Sequence, residues 1–179
     1  MLYSTTYKSP VGIIKLACNI DNLIGAWNEG QKYHGSGLAD QMTAKDDIYI
    51  FDLAKEWLDR YFAGEKPGIS ELPLAPIGST FRQDVWKILC EIPYGEVTTY
   101  GEIAKKMALK MGKERMSCQA VGGAVGHNPI SIIIPCHRVV GSNGSLTGYA
   151  GGIKMKEKLL KLEGVETSRF FIPQRGTAL

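Results

Sequence analysis

"STFRQDVWKILCEIPYGEVTTYGEIAKKMALK", residues 79–110, is the stretch on which the fold turns. Phe81, Val85, Leu89 and Ile92 share one helical face, Ser79 or Thr80 stands where an N-cap belongs, and Pro93 and Gly95 end the pattern. A second helix opens near Thr98 or Thr99 and turns Ile103, Ala104 and Met107 inward. Further on, "MSCQAVGGAVGHN" (116–128) predicts a third helix from about Ser117 to Gly126. Two short helices, a connection, a third helix and then a strand is the order of a winged helix-turn-helix.

That third helix is slim. A helix that reads the major groove needs Arg, Lys, Asn or Gln at the base edges, yet only Gln119 is long and polar here, beside Ala120, Gly122, Gly123 and Ala124. Each glycine costs a helix about 1 kcal/mol relative to alanine. Such a helix can lie close against a backbone or a narrow groove while reading little sequence. Tight packing inside the core is the alternative.

Towards the N-terminus, "SPVGIIKLACNIDNLIGAWNEG" (9–30) alternates as a hairpin, roughly Val11 to Cys18 and Leu23 to Trp27. "DDIYIFDLAKEWLDRYFAG" (46–64) spaces Ile50, Leu53, Ala54, Trp57, Leu58 and Tyr61 as an amphipathic helix that stops at Gly64. Pro67, Gly68, Pro73, Pro76 and Gly78 follow as a linker. At the other end, "KMKEKLLKLEG" (154–164) is a last helix ending at Gly164. The predicted class is α+β: a small N-terminal sheet-and-helix domain over 1–79, then a winged helix-turn-helix-like DNA-binding domain over 80–179.

Composition narrows the function. Of 179 residues, 44% are apolar and 22% charged, which excludes disordered and fibrous classes. No apolar run approaches the roughly 18 residues that span a bilayer, and Met1 to Ile20 lacks a signal peptide's basic start and apolar core. A cytoplasmic protein is expected. Residues 1–79 carry seven Lys or Arg against ten Asp or Glu, net −3, whereas 80–179 carry fourteen against eight, net +6. The imbalance suggests a polyanion partner for the second half only, or else a merely solvated basic surface. Four cysteines without a CxxC pair and three histidines suggest neither a zinc cluster nor a disulfide framework, so no metal is expected.

One stretch could be reactive: "IIIPCHRVVGSNGSLTGYAGG" (132–152). Ile130 to Ile134 reads as a short buried strand, and Pro135 ends its ladder, leaving Cys136 and His137 on a loop. A free thiol titrates near 8.5, and an imidazole or water relay, Arg138 and the basic surroundings could lower that value. Neighbours on an extended segment point opposite ways, so Cys136 and His137 need a bent backbone or a bridging water to share a proton. On chemistry alone a turn and a nucleophile remain equally open, and a Cys-His hydrolase fits the dipeptide.

"IPCHRVVGSNGSLTGYAGG", with "YGEVTTYGEIA", "QAVGGAVGHNP" and "KEKLLKLEG" in that order, closely resembles the O6-alkylguanine-DNA alkyltransferases over residues 80–164. Residues 1–79 match only that family's general layout, a variable, ribonuclease-like domain. The resemblance implies direct, stoichiometric repair without a cofactor, in which Cys136 takes the alkyl group from O6 of a flipped-out guanine and keeps it; O4-alkylthymine is a second candidate substrate. It further implies that His137 deprotonates Cys136 through a water, that Glu163 orients the imidazole, that Tyr100 donates to the departing base, and that Asn128 braces the active-site loop. Val139, Tyr149, Ala150 and Gly151 would line the base pocket. Gly101, Arg115, Gln119, Ala120, Gly123 and Ser142 would meet double-stranded DNA, bound by a monomer through the minor groove without sequence specificity. Two departures stand out: Gln119 occupies the place of the family's arginine finger, and "KKMALKMGKERMS" is longer than the usual connection. Arg115 could supply charge if the third helix reaches back one turn. A lesion-binding relative without repair activity lacks the acceptor cysteine, which Cys136 argues against.

Overall fold

The structure, a computed structural model, describes residues 1–174; the last five positions of the expected second domain lie outside the described residues. Two units emerge from the pattern of contacts, one from Met1–Ile77 with Pro129–Ile133, the other from Gly78–Asn128 with the chain from Ile134 on. The family-like second half is thus interrupted by five residues that fold with the first.

In the first unit, β1 (Leu2–Ser9), β2 (Gly12–Cys18), β3 (Leu23–Asn28) and β4 (Met42–Ala44) form one sheet in the order β3-β2-β1-β4. The expected hairpin is β2–β3, antiparallel, with its register shifted between Ala17 and Cys18. β1 pairs antiparallel with β2, and β4 adds in parallel. Helix α1 (Tyr49–Phe62) buries Ile50, Phe51, Ala54, Trp57, Leu58 and Tyr61, while Leu53 stays half-buried. Trp57 and Tyr61 stack with centroids 5.6 Å apart. The Pro- and Gly-rich stretch is more than a tether, because Leu23 N donates to Pro73 O at 2.9 Å and Ala75 N to Leu23 O at 2.9 Å.

Ile130 to Ile134 is not a strand. Ile130 makes a single parallel bridge to Ala26, with Ala26 N donating to Pro129 O and Ser131 N to Ala26 O, each at 2.8 Å. The chain then turns sharply. Ile133 N donates to Ser131 O at 2.9 Å and Ile132 sits at φ 72, the rarer, left-handed form of γ-turn. A β-branched residue there costs on the order of 1–3 kcal/mol. A continuous apolar run encodes burial without encoding period, and here the burial serves a turn.

The second unit holds α2 (Thr80–Cys90), β5 (Thr98–Thr99), α3 (Tyr100–Lys110), α4 (Cys118–Gly126), β6 (Val139–Val140) and α5 (Ile153–Leu162). Three hydroxyls cap the three helices: Ser79 accepts from Arg82 N, Thr99 from Glu102 N and Ser117 from Ala120 N. Val85, Leu89, Ile103, Met107, Val121 and Val125 are buried, and Phe81 is half-buried. Trp86 Nε1 donates to Ala124 O at 2.9 Å, tying α2 to α4. β5 and β6 pair in parallel, Thr98 opposite Val139. Because Ser117 caps α4, Arg115 does not lie one turn earlier on that helix; it is exposed on the irregular connection before it.

Candidate active site

Pro135 bends the chain before the reactive dipeptide. At φ −82 and ψ 62 it forms an inverse γ-turn in which Cys136 N donates to Ile134 O at 2.8 Å. Cys136, His137 and Arg138 then make a single 3-10 turn. The bent backbone that the dipeptide requires is therefore present. All three side chains are buried, His137 completely at 0% exposure.

Asn128, just past α4, donates through Nδ2 to Cys136 Sγ at 3.1 Å and to Ile134 O at 2.8 Å. His137 Nε2 lies 2.6 Å from Glu163 Oε1. Arg138 reaches the same carboxylate, Nε to Oε2 at 2.8 Å and Nη2 to Oε1 at 3.0 Å, and donates through Nη1 to Ile92 O at 2.6 Å. Gly95 N adds a bond to Glu163 Oε2 at 3.2 Å. Glu163, following α5, thus ties the Cys-His turn to the turn after α2.

A residue that the sequence reading did not single out, although it opens the family-like stretch "KEKLLKLEG", completes the cluster. Lys156 on α5 is fully buried, donating to the carbonyls of Val139 and, at 2.7 Å, Thr147, with its ammonium 5.9 Å from the Tyr100 ring centroid. Lys154, Lys158 and Lys161 share its helix, so lysine there reads as a solvated face. Only the flanking pattern, a lysine three residues before the buried Leu159, could have flagged it. Tyr100 opens α3 and donates to Thr147 O at 3.0 Å. Gly148, at φ 80, leaves no room for a Cβ, which would meet the Tyr100 hydroxyl at 2.5 Å. Tyr149 is buried with its ring edge-on to His137 at 6.5 Å, Val139 is buried, and Ala150 and Gly151 are half-buried in the turn before α5.

Burial sets the charge states. It pushes the Cys136 thiol up, against the opposing Asn128 hydrogen bond, the Lys156 charge and nearby backbone N–H groups. Arg138, expected to act on the thiol, is occupied by Glu163; the cation whose charge favours the Cys136 thiolate is Lys156. Burial pulls His137 down against the pull of Glu163 and keeps it neutral. For Glu163 burial opposes ionisation, but His137 and Arg138 outweigh it and hold the carboxyl down at about 2. An ionised Glu163 accepts only, so Nε2 carries the proton of the neutral imidazole and Nδ1 is its basic nitrogen. Burial lowers Lys156 to about 8, with Cys136 opposing. Tyr100 is driven up by burial and by the Cys136 charge and remains a phenol, a competent donor.

The outward side of α4 differs in kind. Gln119, Ala120 and Gly123 are exposed, as are Arg115 and Ser142, while Gly101 is half-buried in the first turn of α3. A Cβ at Gly123 or Gly126 would meet nothing within 4 Å, and one at Gly122 would only touch the Tyr100 ring at 3.9 Å. Close packing inside the protein therefore does not explain the glycines. Among the described residues no three His, Cys, Asp or Glu side chains gather to hold a metal, and no helix is long and apolar enough to cross a membrane.

Residues 80–165 match the family model for the 6-O-methylguanine DNA methyltransferase DNA binding domain, and residues 2–76 match that for its ribonuclease-like domain. A methylated-DNA–protein-cysteine methyltransferase of Methanosarcina mazei is 54% identical over 168 residues, 90% of this chain and 97% of that protein. Its counterpart from Haemophilus influenzae is 40% identical over 164 residues, 92% and 87% of the two chains. The crystal structure of Mycobacterium tuberculosis OGT in complex with DNA superposes with a TM-score of 0.78 at 40% identity, covering 94% of each chain. The chain belongs to the methylated-DNA–protein-cysteine methyltransferases, the 6-O-methylguanine DNA methyltransferase family.

Proposed function

We propose that Cys136 is the alkyl acceptor in direct repair of O6-alkylguanine in DNA. The observation that carries this reading is the buried Cys136 thiol, held by Asn128 and followed in the chain by the His137–Glu163 pair, in a member of this family. His137 takes the thiol proton at Nδ1 through a water, and Glu163 balances the imidazolium. The Cys136 thiolate attacks the alkyl carbon, forming a C–S bond as the C–O6 bond breaks. The electron pair leaves on the guanine, which Tyr100 stabilises by donating its phenolic proton or hydrogen bond. A thioether has no route back to thiolate, so each chain acts once.

An O6 substituent lies inside the duplex, so the nucleotide must rotate out, at a cost of a few kcal/mol that a weakened pair reduces. The walls for the extruded base are Val139, Tyr149, Ala150 and Gly151, a pocket that could also admit O4-alkylthymine. The slim outward face of α4, with Gly101 at the start of α3, lies against the minor groove, where Ala120 and Gly123 permit close approach without reading sequence. Gln119 fills the vacated space in the stack, bonding to the orphaned partner base by its amide. Arg115 and Ser142 contact the backbone, so affinity falls with salt. The protein acts as a cytoplasmic monomer, and the division of labour follows 1–79 as support and 80–179 as DNA-binding and reacting domain. Titrating a duplex that carries one O6-methylguanine tests the reading: repaired product should plateau at one equivalent per chain, and continued turnover would favour hydrolytic chemistry instead.

A further inference from the structure

We propose that Gln31, far from the reacting dipeptide in sequence, is a positioning residue for the acceptor thiol; the proposal rests on the reading of Cys136 as acceptor. Gln31 Oε1 accepts from Asn28 N at 2.7 Å, from Asn28 Nδ2 at 3.4 Å and from Ser131 Oγ at 3.2 Å. All three residues are buried. A buried oxygen serving three donors is costly to remove, because each donor then loses its acceptor away from water. Nothing in the alkyl transfer itself calls for it.

Its purpose lies in what Ser131 begins. Ser131 O is the acceptor of the left-handed γ-turn centred on Ile132, a conformation that persists only where its surroundings over-determine it. Those surroundings are the Ala26 main chain on either side of Ile130 and Gln31 on the Ser131 side chain. One residue beyond this segment, Ile134 O receives both Asn128 Nδ2 and Cys136 N, and the opposite-handed turn at Pro135 follows at once. Two γ-turns of opposite hand within six residues leave no slack. The direction set at Ile132 fixes the Ile134 carbonyl, and on that carbonyl hang both the Asn128 amide and the Cys136 main chain. Without Gln31, Ile132 relaxes towards negative φ, the Ile134 carbonyl swings, and Asn128 and Cys136 lose their common anchor.

The test uses the full chain as Gln31→Leu, the milder Ser131→Ala, Gln31→Glu, which keeps an accepting oxygen, and Leu58→Ala, which weakens the first unit in the core of α1. Four quantities are read: the saturating single-turnover rate of methyl transfer, affinity for the same duplex, amide exchange at Ile133 and Cys136, and melting temperature. Gln31→Leu should slow transfer by up to about a hundredfold, the scale expected for a reacting group misplaced by about 1 Å, with faster exchange at both amides and unchanged DNA affinity. Ser131→Ala should do the same to a lesser degree, and Gln31→Glu should recover most of the rate. Leu58→Ala should melt lower yet transfer at the wild-type rate below its melting range. Wild-type transfer by Gln31→Leu, or equal slowing by Leu58→Ala, would overturn the proposal. If the wild-type chain puts no methyl on Cys136, the acceptor reading fails instead, while exchange at the two amides still decides whether Gln31 holds the turn.

Discussion

The surroundings of Cys136 and the outward face of α4 belong to one unit and are built on opposite principles. Around the thiol, Asn128, His137, Arg138, Lys156 and Glu163 are all buried, three of them members of one hydrogen-bonded ionic group. On the helix face, Gln119, Ala120 and Gly123 are exposed and uncharged. Burying charge costs several kcal/mol per ion unless partners repay it, so such a cluster persists only where chemistry needs a dry, pre-set field. The helix face invests little in any one contact. Substitutions in the cluster should therefore strike the reaction and the fold, and substitutions on the face should strike DNA handling.

The largest departure should come from Glu163→Gln. It removes the counter-charge of Arg138 and of the imidazolium that His137 becomes on taking the thiol proton, so transfer should fall at least about a hundredfold, as for loss of general-base support, and stability by about 3–5 kcal/mol, as for a broken buried pair. Single-turnover kinetics and denaturant melts check both. A carboxyl held at about 2 in the fold, below its ordinary value of about 4.3, stabilises fully above the ordinary value and loses that contribution as pH falls towards 2. The gap between wild type and variant should thus stay level from neutral pH to about 5 and close between about 4 and 2.

Lys156→Met should act next. At Cys136 the Asn128 hydrogen bond, the Lys156 charge and nearby backbone N–H groups oppose the rise that burial causes, and Lys156 is the cation among them. Its loss should move the pH profile of Cys136 alkylation by a small iodoacetamide probe upwards and slow repair at neutral pH by about tenfold, one pKa unit of lost thiolate. An unmoved profile with a lowered melting temperature would make Lys156 a staple only. Gln119→Ala should be weaker and selective, slowing repair in duplex DNA several-fold while sparing single strands, where no stack has to be refilled; equal slowing in both would remove Gln119 from the vacated stack. Smallest of all, Arg115→Ala should lower the slope of log affinity against log salt by about one, with the transfer rate unchanged.

How far the sequence could be read follows the same divide. Helices α2, α3 and α4 were legible because apolar spacing and a capping hydroxyl agreed at each start. β1 was not, since "LYSTTYKS" is polar and only partly buried, and strand pairing across a sheet leaves little local trace. The run Ile130 to Ile134 looked like a strand because burial is written in composition, whereas the left-handed Ile132 is imposed by Ala26 and Gln31, about a hundred residues upstream. Of the site residues named from family resemblance, Asn128 bonds the Cys136 thiol and Glu163 pairs with His137, whereas the electrostatics around them were hidden. Arg138 looked like the cation next to the thiol by adjacency, but the turn sends it to Glu163, and Lys156 arrives from a helix whose lysines all look solvated.

The most direct measurement is peptide mapping by mass spectrometry after the wild-type chain meets a duplex with one O6-methylguanine. A single methyl on the peptide containing Cys136, matched mole for mole by restored guanine, is the predicted result. A methyl on Cys18, Cys90 or Cys118, or restored guanine with Cys136 unmodified, would contradict it.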